Sequence, residues 1–131
     1  MTDRTKSLEA LEQKVWPEPE FQSYVIRTCH AARKKPLEAL TDEEIRCLIG
    51  QKTGLRYLLP IAVELLAGDP LREVTFYPGD LLHTLLRLAP EDWSEAPEAL
   101  AAFRAMLTAG QEAIAACPEI PRALLEAYPA E

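Results

Sequence analysis

Basic residues are in short supply. Lys and Arg number 14 against 21 Asp and Glu, a formal charge of -7. That balance argues against binding nucleic acid through its phosphates, which takes a basic patch. Cysteine is scarce as well: Cys29, Cys47 and Cys117 are odd in number and lack paired spacing. This fits a reducing, cytoplasmic setting better than a disulfide framework. No apolar run approaches the roughly 20 residues of a membrane span. The stretch MTDRTKSLEALEQK has no apolar core, so no secretory signal peptide is expected. β-Branched residues are few and scattered, which disfavours sheets.

What is present is the mix of a globular protein, 48% hydrophobic and 27% charged. A chain of 131 residues buries about two-thirds of its unfolded surface, so residues 1–131 are expected to fold as a single domain without disulfide or metal. Alanine and leucine dominate, and apolar residues recur at helical spacing. Leu8, Leu11 and Val15 predict a helix over 4–15, broken by Trp16-Pro17-Glu18-Pro19. Phe21, Tyr24, Val25, Thr28 and Ala32 form a stripe over 20–33. Arg33, Lys34 and Lys35 close it as dipole-favoured cations, before Pro36. Thr41-Asp42-Glu43-Glu44 reads as a capping box opening a helix that buries Ile45, Leu48 and Ile49. Gly50 and Gly54 predict a break. The period then resumes from Leu55 to Leu66, with Pro60 kinking the run or starting its second part.

Residues 71–77 are expected to be an extended connector. Pro78 is placed in the first turn of the next helix and Asp80 near its positive end. Leu81, Leu82, Leu85 and Leu88 form the buried stripe, and one turn is expected around Trp93. Pro97 opens the longest helix, to about Ala116, with Gly110 allowing a close helix approach. A last helix over 121–128 carries Leu124, Leu125 and Tyr128. The fold class is therefore all-α, a bundle of about six to seven mostly antiparallel helices.

Chemistry is hard to find. Cys29-His30 places a thiol beside an imidazole, but neighbours on a helix point about 100° apart. Cys29, His30, Cys47 and His83 lack the CxxC or HxxxH spacing of a zinc site. Gly50 and Gly54 are not a phosphate loop, because Lys52 is misplaced and no GK[ST] follows. The pairs Glu43-Glu44 and Glu91-Asp92 read as helix-start charges rather than as acids facing a cleft. Phe76 and Tyr77 are read as aromatics plugging the core before a helix start. No catalytic residue, metal or cofactor is expected.

The acidity is uneven. Residues 91–131 hold 8 acids and 2 bases, net -6, whereas residues 1–90 are nearly balanced. Glu91, Asp92, Glu95 and Glu98 surround Trp93. An aromatic on an acidic surface suits a protein–protein anchor with an electrostatic rim. These five are the expected partner-binding residues, facing a basic protein.

Three strings carry a resemblance: YVIRTCHAARKKP at 24–36, LEALTDEEIRCLIGQKTGLRYLLPIAVE at 37–64 and FYPGDLL at 76–82, followed by Trp93. Together they resemble immunity proteins of bacterial contact-dependent growth inhibition systems, over roughly residues 20–95. The resemblance implies a small cytoplasmic protein without enzymatic activity. Such proteins bind and block a toxin C-terminal domain delivered by a neighbouring cell. Many of these toxins are nucleases, some of ribonuclease type. It also implies that the recognisable strings are scaffold rather than interface. An acidic helical adaptor binding another basic protein remains the alternative, and a thiol or metal enzyme a third reading.

Overall fold

The computed structural model describes residues 2–18 and 23–129. Among them are eight α-helices: α1 (Leu8–Glu12), α2 (Tyr24–Ala32), α3 (Asp42–Gly50), α4 (Leu55–Leu66), α5 (Asp80–Leu86), α6 (Pro97–Ala109), α7 (Gln111–Ala115) and α8 (Arg122–Leu125). Single 3-10 turns occupy Leu37–Ala39 and Pro90–Trp93. The only bridge among the described residues is an isolated antiparallel one, Ser7 to Pro36. The all-α reading holds, with more and shorter helices than the six or seven expected.

Side chains set the helix starts. Ser7 and Ser23 accept from Ala10 N at 3.2 Å and Ile26 N at 3.1 Å. The Thr41 capping box forms: Thr41 Oγ1 accepts from Glu44 N at 3.2 Å, and Glu44 Oε1 accepts from Thr41 N at 2.9 Å. Helix α3 packs on α2, α4 and α5, and α4 also packs on α6 and the 90–93 turn. The interior of α4 is buried nearly all round, through Leu58, Leu59, Ile61, Ala62, Val63 and Leu66, as a central helix must be. The helix runs on through Pro60, so no second part begins there.

Several boundaries differ from expectation for local reasons. Helix α1 stops at Glu12 because Gln13 turns left-handed (φ 53°), which leaves Val15 70% exposed. Glu20 and Phe21, the expected start of the second stripe, lie outside the described residues. In α2 the buried residues are Cys29 and Ala32, while Tyr24 and Val25 face outward. Tyr24 donates to Glu43 Oε1 at 2.7 Å instead of packing inward. Arg33 is not a surface cation but a buried staple. It pairs with Glu12, donates to the Lys14 carbonyl at 2.9 Å and lies 4.2 Å above the Trp16 ring. The expected 97–116 helix is split at Gly110, where a Cβ would meet Pro70 at 3.1 Å. The close approach is thus to a loop proline.

The C-terminal third is fastened by three aromatics. Trp93 is fully buried and stacks on Phe103 with ring centroids 4.8 Å apart. Tyr128 meets Phe103 edge-on at 5.3 Å. Trp93 Nε1 donates to Tyr128 Oη at 3.1 Å, and Tyr128 in turn donates to the Leu88 carbonyl. Both polar tips are thereby satisfied in the interior. Truncating Trp93→Ala is expected to cost about 3–5 kcal/mol in urea denaturation, the range for a large buried aromatic. A loss below about 1 kcal/mol would contradict this packing.

Candidate functional site

The α3–α4 turn and the 90–95 segment face each other across a polar cleft of about 610 Å³. Its shape starts with Gly54, which adopts φ +65°; a Cβ there would strike the Leu8 side chain at 2.7 Å. Glycine lets α4 begin directly against α1. Lys52 also turns left-handed (φ 55°) and reaches the Asp92 carboxylate at 3.2 Å. Asp92 Oδ2 further accepts from Ala89 N at 2.8 Å, so this acid caps the 90–93 turn. Glu12, Glu91, Asp92 and Glu95 line the cleft with Lys52 and Arg56. Glu12 and Asp92 are already matched by Arg33 and Lys52. Glu91 and Glu95 are exposed, as is Glu98 in the first turn of α6. None of these three has an ion-pair partner among the described residues.

Trp93 does not stand on this surface. It was expected at the centre of the acidic surface, but its indole is wholly inside the core. An aromatic that buries roughly 150–250 Å² and has a satisfied N–H gains more from Phe103 and Tyr128 than from water. The acidic cluster therefore has no tryptophan anchor.

The FYPGD string is organised by one carboxylate. Asp80 is only 2% exposed. Its oxygens accept from the backbone N–H groups of Val74 (2.8 Å), Thr75 (2.7 Å), Phe76 (2.8 Å) and Leu81 (2.9 Å). Burial pushes its pKa upward, but the four amide bonds outweigh that and hold it below the usual carboxylate value. Gly79 completes the turn at φ +85°, with Ile120 and Leu71 3.2 Å from where a Cβ would stand. Helix α5 starts at Asp80, two residues after Pro78, so Pro78 lies before the helix rather than in its first turn. The loop does not plug the core with both aromatics. Tyr77 is half-buried and bonded to His83 Nδ1 at 2.6 Å, whereas Phe76 is 68% exposed. The sequence string signals a turn, but only the turn's geometry decides which aromatic faces out.

The thiols do not form a nucleophilic pair. Burial, with a smaller contribution from Cys47, pushes the Cys29 thiol up to about 11, so it stays protonated at neutral pH. Burial also raises Cys47. His83 is taken up by Tyr77. Among the described residues no three His, Cys, Asp or Glu side chains gather closely enough to share a metal ion. Among the described residues no helix is long and apolar enough to cross a membrane.

A family model described as CDI immunity proteins matches residues 10–103. No curated protein and no solved structure matches the chain. The matched span contains Gly54, the Asp80 clamp and the 90–95 segment, and it ends at Phe103.

Substituting Asp80→Asn is expected to destabilise the fold by about 2–4 kcal/mol at neutral pH, since several buried amides lose an ionised acceptor. The Asp80 pKa is lower folded than unfolded, so its contribution is full above the unfolded value of about 3.9. It is lost as pH falls through the folded value. The stability gap between wild type and variant in urea should be constant from about pH 7 to 5 and close in stronger acid. A gap that did not change in acid would contradict the clamp.

Proposed function

The chain belongs to the CDI immunity proteins, and on that premise we propose that it neutralises a cognate toxin domain by masking the toxin's active site with its acidic surface. The toxin in this reading is a nuclease, of ribonuclease type. Its phosphate-binding site is basic, and an acidic inhibitor is steered to it and stands in for substrate charge. The immunity protein acts in the cytoplasm as one domain over residues 1–131, catalyses nothing and needs no cofactor. Glu91, Asp92, Glu95 and Glu98 make the contact. The observation that carries this is the exposed trio Glu91, Glu95 and Glu98, without ion-pair partners among the described residues, the first two of them lining the cleft.

Protection needs tight binding, and a nanomolar complex corresponds to about -12 kcal/mol. Exposed charges supply the approach rather than most of that energy. Their effect should therefore appear in the association rate.

Co-expression with the toxin domain encoded beside it should yield a 1:1 complex in which toxin activity is lost. The triple variant Glu91→Lys, Glu95→Lys, Glu98→Lys should keep its helical circular dichroism and associate at least about tenfold more slowly at low salt, the difference narrowing as salt rises. Asp92 is left intact because it caps the 90–93 turn. An unchanged association rate would remove this segment from the interface, and an uninhibited toxin would remove the function.

A further inference from the structure

A second cleft begins where the acidic one ends, with Lys52 lining both. It holds about 410 Å³ and carries the opposite charge. Arg46, Lys52 and Arg87 line it, and among the described residues no carboxylate does. Tyr24, Val25 and Phe76 also line it, three of the large apolar side chains the chain leaves exposed. Lys52 is taken by Asp92, whereas Arg46 and Arg87 have no carboxylate partner among the described residues. Arg46 Nε instead donates to Thr75 Oγ1 at 3.2 Å, and its guanidinium lies 4.8 Å above the Phe76 ring. Thr75 and Phe76 are themselves held through their amides by Asp80. The backbone that carries the exposed Phe76 and the hydroxyl that holds Arg46 are thus positioned before any partner arrives, which lowers the ordering cost of binding.

We infer that this cleft seats a second, acidic segment of the same toxin domain, an Asp or Glu side chain beside an apolar one. The carboxylate meets Arg46 and Arg87, and the apolar neighbour packs on Phe76 and Tyr24. The inference rests on the toxin-neutralising reading above and adds a second pole to it. Charge complementarity selects the occupant: two arginines without a carboxylate partner among the described residues, and no lining acid, face the cleft in a chain of net charge -7. A polyanion such as RNA would also have to lie along Glu91 and Glu95 next door, whereas one carboxylate on a protein surface would not. Arginine and aromatic groups in a fixed pocket are the usual centres of binding energy. This pole therefore controls dissociation, while the acidic pole controls approach.

The test uses the full chain and the cognate toxin domain, with association and dissociation rates measured separately. Phe76→Ser and Arg87→Glu alter exposed side chains, and Arg87→Gln serves if the reversal disturbs the fold. Each is expected to weaken binding at least about tenfold, mainly through faster dissociation. A toxin Asp or Glu changed to Lys should recover affinity for Arg87→Glu. If wild type binds the toxin and all three variants stay within about twofold, the second pole is overturned and the toxin-neutralising function stands. If wild type fails to bind the toxin, both fall. Saturable binding of a short RNA oligonucleotide, lost in Arg87→Glu, would also overturn the protein occupant.

Discussion

One buried carboxylate holds together the face that matters. Asp80 sits in the interior without a counter-cation among the described residues and is kept ionised by four backbone N–H groups. A buried charge is tolerable only when its oxygens are this fully bonded. The clamp converts an irregular connector into a defined loop. It sets the direction of Phe76, the place of the Thr75 hydroxyl and, through that hydroxyl, the pose of Arg46. It also starts α5, whose buried leucines pack against α3.

A second constraint acts on the other side of the same face. Trp93, Phe103 and Tyr128 lock the 90–93 turn to α6 and to the end of the described chain. With Trp93 drawn inward, its neighbours Glu91, Ser94 and Glu95 face solvent. The acidic surface is thus a consequence of core packing: the aromatic that looked like its anchor is what presents it. Lys52, held by Asp92, joins this acidic side to the cationic one.

Much of the fold was legible. The Thr41 and Glu44 capping box is a local device whose partners are three residues apart, and it forms as read. The leucine stripe of α5 and the apolar run of α4 announced their burial through helical period. Less legible was anything decided by contacts distant in sequence. Arg33 reads as a dipole cation because its partners Glu12, Lys14 and Trp16 lie outside its own helix, 17 to 21 residues upstream. Gly110 was placed inside a helix because nothing local reveals the Pro70 ring against it. The acids at 91–98 were visible as a charge cluster, yet Trp93 was assigned outward because its aromatic partners come 10 and 35 residues later. Asp80 was read for its helix-end charge, which is the smaller part of its role. Phe76 was read as core because a turn's sequence does not say which of two adjacent aromatics it turns out.

The family strings gain a physical meaning from this. Gly54 in the 37–64 string permits the Leu8 contact, and Asp80 of FYPGDLL makes the clamp. Both act as scaffold, and what they hold in place is an acidic cleft and a cationic cleft sharing one lysine. The most direct measurement is amide hydrogen exchange of the chain, free and with its cognate toxin domain bound. Slowed exchange is expected at residues 51–54, 74–77 and 90–95 together. Slowing confined to α7 and α8, with those three segments unchanged, would contradict it.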